Sequence, residues 1–187
     1  MKELSLNVLD IAKNSVKARA TLIGITLREE SNLLTLTITD NGCGMTPEVL
    51  QGVVNPFYTT RTTRKVGLGI PLLKLAAEQT GGTVSITSRH EELHPDDHGT
   101  EVVATFYTDH IDFTPIGDLI STVETLIMGS PEIDFVFAHQ TERFDVALDT
   151  REMREVLGGE VSLADYEVIQ WIGQYLREQY AEPQITE

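Results

Sequence analysis

A lone carboxylate stands where an apolar run stops. The apolar run Leu33 to Thr39 reads as a buried strand, and Asp40-Asn41-Gly42-Cys43-Gly44-Met45 follows as the turn that leaves it. An aspartate held at a strand end can accept a hydrogen bond from an amino group, while Gly42 and Gly44 let backbone approach something flat. Asp-Asn-Gly is also an ordinary turn, so this stretch alone decides nothing. Asp10, Asn14 and Lys17 stand four and three residues apart, which on a helix sets carboxylate, amide and ammonium on nearly the same side. By itself that stripe reads as a solvated helix face. Arg61, Arg64 and Lys65 form a positive island suited to an anion, and Gly67-Leu68-Gly69 opens a helix whose free N–H groups and dipole attract the same charge.

The elements that must position these groups are legible in outline. Leu4, Val8, Ile11, Ser15 and Ala18 keep helical spacing, predicting a helix from Glu3 to Ala18. Thr21 to Arg28 and Leu33 to Thr39 read as two strands joined at Glu29-Glu30-Ser31-Asn32, carrying Asp40 into a pocket. Pro47 opens a short helix with Val49, Leu50 and Val53 inward. Phe57 anchors a polar, cationic loop that runs to Gly67 and reads as a lid. Ile70 to Thr80 is a further helix, and Thr83 to Ser88 and Thr100 to Thr108 are a second pair of strands. The histidines and acids between them, His90 to His98, crowd around Pro95 as a solvated loop rather than a metal site. Cys43 is a small buried filler.

The groups around Asp10 to Lys17, Asp40 to Met45, Asn55-Pro56-Phe57-Tyr58-Thr59-Thr60-Arg61, Gly67 to Ile70, Gly81-Gly82-Thr83 and Gly99-Thr100 come in a fixed order. Together they resemble the nucleotide-binding domain of the GHKL superfamily, or Bergerat fold, shared by sensor histidine kinases, Hsp90-type chaperones, type II topoisomerases and mismatch-repair ATPases. The resemblance covers residues 1 to 108. It implies an α+β fold of Bergerat type, an α/β sandwich with a mixed sheet and helices on one face, holding ATP and Mg²⁺. It further implies that Asp40 and Thr100 read adenine and that Gly42 and Gly44 make room for it. Asn14 then holds the metal, Lys17 and Arg61 contact phosphates, and Gly67, Leu68 and Gly69 cradle them. Asp10 falls at the position of the general base, where hydrolysing members carry Glu; its side chain is one methylene shorter, which weakens the case for brisk hydrolysis.

Beyond residue 108 the family resemblance ends. Pro115 to Met128, Thr150 to Leu157 and Leu163 to Tyr180 read as helices, the last with Val168, Trp171, Ile172, Tyr175 and Leu176 inward. Ile133 to Ala138 and Phe144 to Leu148 read as a hairpin. Residues 109–187 are therefore expected to be a small α+β extension of the 1–108 ATP-binding domain. His110-Ile111-Asp112-Phe113-Thr114-Pro115-Ile116 resembles a kinase phosphoacceptor box, but Ile111 replaces its acid and a strand-to-helix junction explains the same letters.

Composition narrows the partners. A formal charge of −15 over 187 residues argues against direct binding to nucleic acid or an anionic membrane. No apolar run approaches the length of a membrane span, no leader is evident, and a single cysteine allows no internal disulfide. The expectation is a stand-alone, cytoplasmic protein that uses ATP to phosphorylate a partner protein or hydrolyses it slowly. The alternative is a nucleotide-switched interaction module. Either way residues 109–187 are the expected partner-binding part, and a homodimer stays open.

Overall fold

The computed structural model describes residues 3–54 and 69–181. Helix α1, Leu4–Lys17, buries Leu4, Val8, Ile11, Ala12 and Ser15, whose spacing of three and four keeps them on one side. No side chain caps its start. The carbonyl oxygens of Pro115 and Ile116 accept from Leu4 N at 2.9 Å and Ser5 N at 2.8 Å, so backbone from far along the chain satisfies those free donors. After α1 the chain reverses at Arg19, with φ of 63°, into β1, Leu22–Glu30, and then β2, Leu33–Asp40. Helix α2, Pro47–Val54, and helix α3, Gly69–Gln79, precede β3, Val84–Arg89, and β4, Gly99–Tyr107. Helix α4, Leu119–Gly129, leads to β5, Asp134–Gln140, and β6, Asp145–Asp149; helices α5, Thr150–Leu157, and α6, Tyr166–Ala181, complete the described chain.

The six strands among the described residues form one mixed sheet in the order β3-β4-β2-β1-β5-β6, with β1 and β5 paired parallel and the other neighbours antiparallel. Alternation puts Ile23, Ile25 and Leu27, then Leu34, Leu36 and Ile38, then Val102, Ala104 and Phe106 on one buried face. Phe135 and Phe137 continue that face opposite Ile23 and Ile25, and α1, α3, α4 and α6 supply Val8, Leu73, Val123 with Ile127, and Leu176 to the same core. This is the expected α+β fold with a mixed sheet.

The segment after residue 108 shares that sheet and core rather than packing as a separate layer. Its last helix is tied to β1 as well: buried His139 meets Glu29 through Nε2 at 2.8 Å and the Tyr180 hydroxyl through Nδ1 at 2.9 Å. Nε2–H donates to the Glu29 carboxylate and Tyr180 donates to Nδ1, a role that suits a hydroxyl whose pKa burial has pushed up.

Several local expectations shift. Val49, expected inward, is exposed. The fourth helix starts at Leu119 instead of Pro115, because residues 115 and 116 turn their carbonyls to α1 and Gly117, with φ of 81°, redirects the chain. The last begins at Tyr166 instead of Leu163, and Trp171 and Tyr175 are not inward. The buried side is Val168, Ile169, Ile172, Gly173 and Leu176. Gly173 occupies a buried position without a side chain because the Glu124 carboxylate fills the space a Cβ would take, so an apolar stripe read from large residues alone comes out rotated.

Asp118 caps α4, accepting from Ser121 N at 2.9 Å and Ser121 Oγ at 2.6 Å; those bonds hold its carboxyl pKa below the usual 3.8. Asp118→Ala is expected to cost about 0.5–1 kcal/mol near neutral pH, the low end for an exposed cap. Because the folded pKa is the depressed one, the penalty is full above the unfolded value and closes as pH falls through the folded one. Urea titrations of both proteins at neutral pH and below pH 3.8 check this.

Candidate functional site

The end of β2 and the start of β4 are register partners, Asp40 opposite Thr100, so both side chains point to the helix-bearing face. Asp40 is fixed from two sides. Its Oδ2 accepts from Ser15 Oγ of α1 at 2.6 Å, and its Oδ1 accepts from Gly42 N at 2.9 Å. Each oxygen keeps lone-pair capacity, so the half-buried carboxylate can still accept from an amino group.

The turn is built to hold that geometry. Asn41 Oδ1 accepts from Thr21 N and Leu22 N, both at 2.9 Å, and Cys43 N donates to Ala18 O at 2.8 Å. A Cβ on Gly42 would lie 2.7 Å from Ala18 O, so the turn and the end of α1 can meet only at glycine. Gly44, with φ of 66°, lies against the Arg89 carbonyl, where an added Cβ would collide.

Thr100 has its own bracing. Ser88 Oγ lies 3.0 Å from Gly99 O, 2.9 Å from Thr100 Oγ1 and 2.8 Å from Met45 N. With Ser88 donating to Gly99 O, Thr100 must donate to Ser88, which leaves the Thr100 oxygen free to accept from a ligand. His98 Nδ1 stands 2.6 Å from Gly42 O, and since a carbonyl only accepts, that nitrogen carries the proton. Cys43 is half-buried among these groups.

On α1, Asn14 precedes Ser15, the residue that touches Asp40, and is half-buried. Asp10 is exposed one turn earlier. A Cβ on Gly69, at the start of α3, would lie 3.2 Å from that of Asp10, so the opening of that helix lies against this residue of α1. Asp40, Gly42, Gly44 and Thr100 thus gather at one end of the sheet, and Asp10 and Gly69 meet beside it. Lys17 is exposed in the last turn of α1. Arg61, Gly67, Leu68, Phe57 and the rest of the expected lid lie outside the described residues. His110 is exposed in the turn after β4, where its Nδ1 accepts from Asp112 N at 3.1 Å. Among the described residues no group of three or more His, Cys, Asp and Glu is arranged to hold a metal ion.

Sequence reasoning missed Ser15, Ser88, His98 and the two hydrogen bonds that Asn41 Oδ1 accepts. Only Ser15 left a signal: it is a hydroxyl on the apolar stripe of α1, and such a group needs a partner when buried.

Residues 2–110 match the model of the histidine kinase-, DNA gyrase B- and HSP90-like ATPases. The chain belongs to this family. Its GHKL domain is 34% identical over 109 residues to an uncharacterized sensor-like histidine kinase of Rhizobium meliloti, covering 54% of this chain and 20% of that protein. Sporulation kinase B of Bacillus subtilis is 30% identical over 93 residues, 48% of this chain and 22% of the kinase. The chain therefore spans about a fifth of the length of these curated relatives. Among solved structures, the N-terminal domain of a DNA repair protein superposes with a TM-score of 0.60 at 15% identity, covering 85% of this chain and 58% of that one. The Aquifex aeolicus MutL ATPase domain complexed with ADP superposes at 0.53 and 15% identity, covering 84% and 69%. These two share the fold, and coverage this wide takes in part of the GHKL chain beyond residue 110, where the family match stops. No helix among the described residues is long and apolar enough to cross a membrane.

Proposed function

We propose that this GHKL domain binds Mg²⁺-ATP at the end of the sheet and acts, in the cytoplasm, by transferring the terminal phosphoryl group to a partner protein held through residues 109–187. The observation that carries the reading is the 2.6 Å bond from Ser15 to Asp40, because it sets the carboxylate beside the helix that bears Asn14. The residues present fit the nucleotide. Asp40 has spare acceptor capacity for the adenine amino group and Thr100 can accept beside it, while Gly42 and Gly44 let the turn that carries Asp40 close against the backbone of Ala18 and Arg89. They fit the metal too: Asn14 offers one amide oxygen, and Mg²⁺ takes its other ligands from phosphate and water. When bound, the ion neutralises charge on the phosphates.

The protein's own groups divide the remaining work. Lys17 and Arg61 carry positive charge to the phosphates, and amides around Gly67, Leu68 and Gly69 bind them. Asp10, facing the start of α3, is the acceptor for the proton of the attacking group, whether a partner's nucleophile or water. Its short reach favours an oriented side chain over efficient activation of water.

A second reading has an observation of its own. The first N–H groups of α1 are held by carbonyls of residues 115 and 116, so the helix that carries Asn14 is bonded to the start of the C-terminal segment. Nucleotide binding that shifts α1 would reach that segment directly, the arrangement a switched interaction module needs. Incubation with γ-labelled ATP and Mg²⁺ separates the two. Label on a co-purified protein supports transfer, free phosphate supports slow hydrolysis, and saturable binding without turnover supports the switch. Absence of ATP binding rules out both.

Ser15→Ala removes the hydroxyl that orients Asp40. It is expected to weaken ATP binding by ~3- to 10-fold, the size of one lost hydrogen bond, read by calorimetric titration. Ser15→Thr restores most of it if the hydroxyl is what matters.

A further inference from the structure

A groove lies away from the proposed nucleotide site, against β5 and β6 and between α5 and α6, and encloses ≈980 Å³. Val136, Ala138 and Ala147 form its floor, and Val156, Trp171 and Tyr175 stand on its walls. Trp171 and Tyr175 are stacked face to face, with centroids 5.0 Å apart and planes 10° from parallel, yet 52% and 37% exposed. Val156 is 87% exposed. So much uncovered apolar wall is too open for a small molecule, which a pocket buries almost completely, but suits a protein surface. Rigid aromatic rings of this kind are common anchors of such contacts.

The edge strand shows what shape the occupant has. Ala147 N donates to Gln179 Oε1 at 2.9 Å and Gln179 Nε2 donates to Ala147 O at 3.0 Å, so the outward backbone groups at the middle residue of β6 are already taken. A strand cannot add there, which leaves a helix held by side chains. The rim fixes its charge. Among the described residues, Asp149, Glu152 and Glu167 line the groove and no lysine or arginine does. Asp149 is paired with Arg151 at 2.6 Å, which leaves Glu152 and Glu167 for an incoming cation. A second copy of the chain on a twofold axis would set those carboxylates against themselves, on a chain already at −15. We infer that this groove docks an amphipathic helix of a partner protein with a lysine- or arginine-rich polar face. The inference rests on the reading that residues 109–187 engage a protein, and is independent of what happens to ATP.

Trp171 is the single tryptophan of the chain, so its emission reports on the groove without a label. The probe is a leucine–lysine peptide of about 18 residues, long enough to be helical, with a leucine–glutamate peptide of the same pattern beside it. The lysine peptide is expected to shift Trp171 emission to the blue saturably, more weakly as salt rises, and the glutamate peptide to leave it unchanged. Val156→Asp, at an exposed position that folding does not need, and Glu152→Lys with Glu167→Lys should each weaken binding ~10-fold or more. A control reversal at two loop acids, Glu92→Lys with Asp96→Lys, should stay within about twofold.

Equal effects from groove and control variants, or equal binding of both peptides, overturn the inference in favour of unspecific attraction. Emission that depends on protein concentration points instead to a second copy, and emission that shifts on deleting 182–187 points to the chain's own end. Amide exchange with the lysine peptide separates the two levels of failure. Protection elsewhere in 109–187 overturns the groove and keeps the partner segment, whereas no protection anywhere in 109–187 overturns both.

Discussion

Asp40→Asn should lower ATP affinity ~10- to 100-fold while leaving the fold intact. The substitution keeps the shape of the side chain. Its oxygen can still accept from Gly42 N, and its amide can donate to Ser15 Oγ, so the internal bonds have a substitute arrangement. What changes is the side shown to the ligand. A carboxylate accepts from the adenine amino group; an amide turned to satisfy Ser15 shows that amino group another donor. A hydrogen bond to a charged acceptor contributes ~1.5–3 kcal/mol, which sets the expected range. Calorimetric titration with ATP measures it, and circular dichroism melting checks the fold. Affinity within about twofold of the parent would remove Asp40 from the adenine contact and take the proposed site with it.

The second large effect concerns the metal. Asn14→Ala removes the amide oxygen proposed for Mg²⁺, so ATP affinity measured with Mg²⁺ should fall to the value measured in EDTA. Any turnover should drop with it by at least ~10- to 100-fold, since even outer partners of metal sites cost that much. Destabilisation does not confuse the result, because alanine is a better helix residue than asparagine and Asn14 makes no side-chain hydrogen bond to a described residue. The melting temperature is expected to hold or rise. Normal magnesium dependence in this variant would show that α1 presents no metal ligand.

Residue order reveals the parts of this protein made by neighbours in the chain. Helical spacing gives α1, and alternation gives β1 and β2, the second ending at Asp40, one residue beyond the expected Thr39. Those patterns are local, so a short window contains them. Lys17 and Asp10 could be put on one helix face for the same reason. That face is set by 3.6 residues per turn, whatever packs against it.

The chain leaves other matters to tertiary packing. Nothing in the letters of Asp134–Gln140 says that this strand lies parallel to β1, because that pairing closes a long loop and depends on which buried faces match. Nor does Ser15 announce Asp40 as its partner: the two meet only when α1 lies across the end of β2. Trp171 and Tyr175 look like core residues by type, yet the buried side of α6 runs through Gly173, where the Glu124 carboxylate lies, and both rings face outward. Sequence by itself determined the helices, the first strands and the family, through periodicity and ordered motifs that each residue run carries on its own. Tertiary structure decided the shared sheet, the braced carboxylate and the open groove, because each is a contact between segments whose distance along the chain no local pattern encodes.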